Sequence, residues 1–205
     1  MTLRVTFLST DLFHGGAEVQ LVNLAIRLKA HGLEIYIISM LPPQAFTEEL
    51  SAAGISVATL NMRRGVPDPR ALFSMRTFLR KWRPHVLHSH MVHANLLARV
   101  SKLLHRVPVL ISTVHSINEG GRLREIAYRL TDALCDLTTI ISKTTAKRYI
   151  RIGAVPKHKL RIIPNGVDTQ HFSPNLIFRK ILRKDLDLNG CFTWLAIGRF
   201  EVPKD

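Results

Sequence analysis

Two hydrophobic periodicities alternate along this chain. Leu3 to Ser9 is an almost unbroken apolar run, the pattern of a strand covered on both faces. Val19, Leu21, Val22, Leu24, Ala25 and Leu28 then recur at helical spacing, and Gly32 stops the helix. The alternation continues. Strands are predicted over 33–40, 55–60, from His85 to a His88-Ser89-His90 end, 109–114, 137–141 and 160–163. Helices are predicted over 46–53, from Pro69 to Trp82, and over 95–104, 123–134, 144–152 and 176–186. The connections are too long for hairpins, so the fold class is α/β: a doubly wound, mainly parallel Rossmann-like sheet with helices on both faces. In such sheets ligands bind beyond the carboxyl ends of the strands.

The run from Phe192 to Ile197, continuing into Gly198-Arg199 and a basic loop to Lys204, has the pattern of one more buried strand. Too little sequence follows to give that strand a sheet of its own. The expected organisation is a Rossmann-like domain over 1–175, a connecting helix over 176–190, and the first strand and loop of a second domain over 191–205.

Charge narrows the partners. The 205 residues carry a net charge of +14. Between Lys143 and Lys184 eleven Lys and Arg face one acid, Asp168, and between Arg63 and Arg83 seven face only Asp68. Such a surface favours nucleic acid, anionic lipid or phosphorylated small molecules. Nucleic acid is disfavoured, because neither an aromatic stacking pattern nor a recognition motif accompanies the charge. Cys135 and Cys191 lie far apart, which suits a reducing cytoplasm and offers no disulfide or metal framework. No apolar run reaches the roughly 20 residues needed to cross a bilayer, and the start lacks the marks of a secretory signal.

Several strand ends carry chemistry. After the first strand, Gly15 and Gly16 open a helix; they permit either a turn with positive φ or close approach of an anionic ligand to free amides. The three spaced glycines of a dinucleotide fingerprint are missing, and no Gly-Lys-Ser/Thr follows to make a P-loop. His88 and His90 lie two apart on one strand face, a spacing open to metal ligation or to lining a cleft. No carboxylate or thiol is near in sequence to complete a metal site. His115 ends the Ser112-Thr113-Val114 strand, where an imidazole can exchange a proton with a sugar hydroxyl or serve as a loop residue. Asn165-Gly166-Val167-Asp168 follows the seventh strand as a turn.

The order of these features is more specific than any one of them. The Gly15-Gly16-Ala17-Glu18 loop, the His88-Ser89-His90 and Ser112-Thr113-Val114-His115 strand ends, Ile141-Ser142-Lys143, the Pro164-to-Asp168 turn with Phe172 and Pro174, and Gly198-Arg199 with Lys204 occur in sequence. Taken together the chain resembles glycosyltransferase family 4, the retaining nucleotide-sugar transferases of the GT-B fold, over essentially its whole length.

The resemblance implies the amino-terminal, acceptor-side half of a two-domain enzyme. Gly15 and Gly16 would bring backbone close to the donor diphosphate and the transferred sugar. His115 would act on that sugar as a catalytic or hydrogen-bonding group, with His88, His90 and Asn165 lining the cleft. Arg199 and Lys204 match the basic pair that neutralises the leaving diphosphate, so no metal or other cofactor is implied and the nucleotide sugar is a co-substrate. The family's paired glutamates, which bind the nucleotide ribose, are not in these 205 residues, so the resemblance implies little transfer by them alone. The implied partners are a nucleotide-sugar donor and a glycolipid or glycan acceptor, as in lipopolysaccharide or capsule synthesis, with no nucleic acid. The implied location is the cytoplasm, peripheral on the inner membrane face. There an anionic surface would meet Arg76, Arg80 and Arg83, which share one side of the helix after Pro69, opposite Leu72, Met75, Leu79 and Trp82. That helix also fits an ordinary surface element packed on the sheet. The alternative for the whole chain is a non-catalytic α/β module binding a phosphorylated ligand or an acidic partner.

Overall fold

The structure is a computed structural model that describes residues 2–197. Seven strands form one parallel sheet: β1 (Arg4–Ser9), β2 (Glu34–Ser39), β3 (Ser56–Thr59), β4 (Val86–His90), β5 (Val109–Val114), β6 (Leu137–Ile140) and β7 (Leu160–Ile162). Their order is β3-β2-β1-β4-β5-β6-β7, so the chain winds outward from β1 in one direction and then from β4 in the other. The helices between them are α1 (Gly16–Ala30), α2 (Thr47–Ala52), α3 (Arg70–Trp82), α4 (Val92–Leu104), α5 (Arg122–Thr131) and α6 (Lys143–Arg151). The switch point falls between β1 and β4, and it brings the end of β1 beside the end of β4.

Both faces of the sheet are covered, which is why the strands read as continuous apolar runs. Phe7 and Leu8 are adjacent and fully buried, yet they belong to different cores, as the two-residue period of a strand dictates. Phe7 packs with Leu21, Val22, Ile37 and Leu50 under α1 and α2. Leu8 packs with Ile38, Met75, Leu79, Leu87, Ala98 and Leu110 under α3 and α4. A third core joins Val114, Tyr128, Ile140, Ala146 and Tyr149 beneath α5 and α6. Each fully buried Leu, Ile or Phe contributes on the order of 1.5–3 kcal/mol.

Helix boundaries follow local chemistry. Ser142 caps α6 by accepting the Thr145 amide on its side chain. On α3, Ala71, Met75 and Leu79 recur at i, i+4 and i+8 and are buried, while Arg76, Arg80 and Phe73 are exposed. The predicted start of α4 at Asn95 moves back one turn to Val92, because Met91 takes φ 71°, ψ 157° and turns the chain sharply out of β4.

The chain divides into two compact units, 1–165 and 166–205. The segment 166–175, grouped with the first domain in the sequence reading, belongs to the second unit. That unit contains α7 (Leu176–Asp185), capped by Asn175 accepting the Phe178 amide. Phe192 to Ile197, expected to be a buried strand, forms no ladder; Phe192, Trp194, Leu195 and Ile197 are all exposed. A parallel strand buries its apolar faces only beside neighbouring strands, and none of the described residues pairs with this one. Gly198, Arg199 and Lys204 lie outside the described residues.

Candidate functional site

Parallel register assembles three histidines at the carboxyl edge of the sheet. On β4, His88 pairs in register with Phe7 of β1, and His90 with Ser9 on one side and Thr113 of β5 on the other. Two residues beyond Thr113 the chain reaches His115. His90 Nδ1 and His115 Nε2 lie 2.9 Å apart, although the residues are 25 apart in sequence. The His88 and His90 rings are tilted against each other with centroids 4.4 Å apart, both beside Phe7, and the His90 and His115 rings stack at 5.2 Å. His88 Nε2 is 2.7 Å from Thr113 Oγ1, which is itself 2.6 Å from Thr139 Oγ1 of β6. A chain of polar contacts thus crosses from β4 to β6.

All three imidazoles are held neutral. Burial pushes His88 down to about 3, aided by the adjacent His115. Burial drives His115 down to about 4. His90 falls well below its ordinary value through burial and then through its two histidine neighbours. One nitrogen of the His90–His115 contact must therefore carry the shared proton and the other must accept it. In either tautomer His115 Nδ1 and His90 Nε2, both buried, have no protein partner. Thr10 Oγ1 and Ser39 Oγ, just after β1 and at the end of β2, share that condition. Buried polar atoms of this kind are normally satisfied by water or ligand.

One strained backbone position, Met91, lies at the same edge. Met91 occupies a region that favours glycine, at a cost of about 1–3 kcal/mol. It is held there because its amide donates to the Thr113 carbonyl at 3.3 Å and its own carbonyl accepts the Asn95 amide.

The start of α1 excludes a positive-φ turn at Gly15 and Gly16. Neither has positive φ; Gly15 is the extended N-cap, with φ −134° and ψ 157°. A Cβ on Gly15 would lie 2.3 Å from Glu18 Oε2, so glycine there makes room for the buried Glu18 carboxylate. A Cβ on Gly16 would meet nothing within 4 Å, and Gly15 makes no side-chain cap hydrogen bond to this 15-residue helix.

The structure thus joins His88, His90 and His115 directly. Asn165 is exposed at the last position of the first unit. Among the described residues no group of three or more His, Cys, Asp and Glu side chains is arranged to hold a metal ion. Sequence reasoning passed over Thr113, Asn95, Glu119 and Tyr128. Only Glu119, in the Asn118-Glu119-Gly120-Gly121 turn, carried a signal that could have found it.

A parallel sheet of this order, with an uncapped glycine-started helix and strand-end histidines, is the architecture of the amino-terminal domain of GT-B glycosyltransferases. The pattern described as Glycosyltransferase Family 4 matches residues 14–171, and the chain belongs to that family. It is 27% identical over 148 residues to the UDP-Gal:alpha-D-GlcNAc-diphosphoundecaprenol alpha-1,3-galactosyltransferase of Escherichia coli, covering 68% of this chain and 38% of that one. It is 24% identical to the D-inositol 3-phosphate glycosyltransferase of Acidothermus cellulolyticus, over 93% of this chain and 48% of that one. The Anabaena protein HepE, solved with UDP, superposes with a TM-score of 0.72 at 17% identity, over 90% of this chain and 50% of HepE. The chain therefore spans half or less of the length of these relatives.

Proposed function

We propose that this chain forms the acceptor-side part of a retaining glycosyltransferase that moves a sugar from a nucleotide-sugar donor to a hydroxyl of a lipid-linked or polysaccharide acceptor. The observation that carries this reading is the family match over 14–171. In the reaction the bond from the anomeric carbon to the donor diphosphate breaks. A bond from that carbon to the acceptor oxygen forms on the same face, and the acceptor proton leaves with the diphosphate. Neutral His115 hydrogen-bonds the transferred sugar, Gly16 and the α1 amides approach the donor, and Arg199 and Lys204 neutralise the leaving diphosphate without a metal.

A phosphate-bearing acceptor is supported by the relatives: both are named for one, a diphosphoundecaprenol-linked sugar and an inositol phosphate.

The test is a transfer assay on this chain joined to a donor-binding domain that carries the paired glutamates, with nucleotide sugars and a polyprenyl-diphosphate-linked acceptor, read by mass spectrometry for one added sugar and by NMR for anomeric configuration. An α-linked product from an α-linked donor is expected; an inverted product or free sugar alone contradicts the reading. His115→Ala is expected to lower kcat about a hundredfold, with a smaller change in KM.

The proposal places the protein on the cytoplasmic membrane face. Among the described residues no helix is long and apolar enough to cross a membrane. The exposed side of α3 instead offers Phe73 beside the basic side chains of Arg76 and Arg80. Sedimentation with vesicles containing anionic lipid is expected to weaken at least about tenfold in the Arg76→Glu, Arg80→Glu double variant. Binding indifferent to anionic lipid and to salt removes α3 as a membrane contact.

A further inference from the structure

The loop from β5 to α5, residues 115–121, is built around Glu119. Asn118 Oδ1 accepts the Gly120 and Gly121 amides at 3.2 and 3.4 Å, and both glycines have positive φ. Arg124 Nη1 donates to the Glu119 carbonyl at 2.6 Å, and it occupies the space where a Cβ on Gly120 would lie. This backbone path delivers the Glu119 carboxyl to Tyr128, whose hydroxyl donates to Oε2 at 2.8 Å, while Oε1 lies 3.4 Å from the His115 amide. The Tyr128 oxygen in turn accepts Asn95 Nδ2 at 2.7 Å, and the same amide group donates to the Thr113 carbonyl at 2.9 Å. The circuit closes on β5: Asn95 fixes the backbone two residues before His115, and Glu119 fixes the backbone of His115 itself.

We propose that Glu119 is a positioning residue for His115, seating its backbone through the Tyr128–Asn95 circuit. The proposal rests on the role given to His115 in glycosyl transfer. The chemistry of the seat is unusual for a carboxyl. Burial lifts Glu119 to about 7, against the pull of the Tyr128 hydroxyl, the His115 amide, Arg124 and Arg99. The titratable and charged groups facing it are Arg99 of α4, Arg124 and Tyr128 of α5, Tyr149 of α6 and His115 just after β5. An ionised carboxylate accepts the Tyr128 and His115 hydrogen bonds more strongly than a protonated one. The seat of His115 therefore tightens as pH rises through about 7.

Histidine-selective NMR on this chain reads that coupling without donor or acceptor. The His115 ring signals are expected to titrate in two steps, their own near 4 and a second near 7 transmitted from Glu119. Glu119→Gln keeps an acceptor for Tyr128 and is expected to abolish the second step. Tyr128→Phe removes a hydrogen bond that lowers Glu119, so the step is expected to move to higher pH. Absence of a step near 7 in the unaltered protein, or its persistence in Glu119→Gln, overturns the proposal. A purely structural role for Glu119 would alter stability but would not put its titration on the His115 signal. Transfer kinetics separate the two readings. If the NMR step is present but the chain joined to its donor-binding domain transfers no sugar, the glycosyltransferase reading fails and the positioning stands. If transfer occurs with the same kcat–pH profile in Glu119→Gln, the positioning role fails and the transferase reading stands.

Discussion

Replacing Arg99 with alanine is expected to destabilise the domain by about 3–5 kcal/mol. Arg99 is the largest fully buried side chain of the structure. Its guanidinium lies 4.7 Å from the centre of the Tyr128 ring and donates to the Tyr128 carbonyl at 3.0 Å. It also reaches the hydroxyls of Thr131 at 3.3 Å and of Ser112 and Thr138 at 3.4 Å. One cation thereby ties α4 to β5, β6 and α5. Alanine leaves a cavity among four elements and a buried carbonyl without its donor. Arg99→Met fills most of the volume and removes the burden of a desolvated charge, so its loss is expected to be smaller, about 1–3 kcal/mol. Urea unfolding of the two variants at neutral pH measures both. An alanine variant within about 1 kcal/mol of the parent would show that the domain relaxes around the lost side chain.

The second large effect is acid lability. Stability is expected to fall steeply between pH 6.5 and 4.5. His88, His90 and His115 have folded pKa values below the ordinary 6.5. Their neutral forms favour the fold above pH 6.5, and that stability is lost as pH falls toward the folded values. Glu119 acts in the opposite sense. Its raised pKa favours the fold at low pH, and that contribution is lost as pH rises from the ordinary carboxylate range to about 7. Over the shared window unfolding takes up about three protons on the histidines and releases about one from Glu119. The net slope is about 3 kcal/mol per pH unit, enough to consume much of a typical domain's stability within two units. His93, also lowered, adds to the same side. His88→Gln is expected to reduce the slope by about 1 kcal/mol per unit. A urea midpoint that is flat between pH 6.5 and 5 would mean that the histidines charge without breaking the fold.

Much of the architecture was legible in the chain because a parallel sheet covered on both faces writes itself as apolar runs. Leu3–Ser9 and Val109–Val114 show this, and helical spacing between them identifies the crossovers. The rule fails at Phe192–Ile197, where the run is equally apolar but no neighbouring strand pairs with it. Apolar pattern reports what a strand would bury and is silent on whether a partner is there to cover it. Gly15 and Gly16 show a second limit. Composition admits a positive-φ turn at either position, and only the backbone angles exclude it.

By itself, then, the sequence determined the order of strands and helices, the parallel sheet, and the loops that carry His88, His90, His115 and the paired glycines. Tertiary structure decided what those residues do to one another. Register places His90 against Thr113 and so brings His115 to 2.9 Å from it across 25 positions, a distance no local spacing encodes. Burial then sets their protonation, because an imidazolium removed from water loses more hydration than its neutral neighbours return. The same two effects, register and desolvation, recruit Glu119, which the sequence marks only by the glycine turn around it.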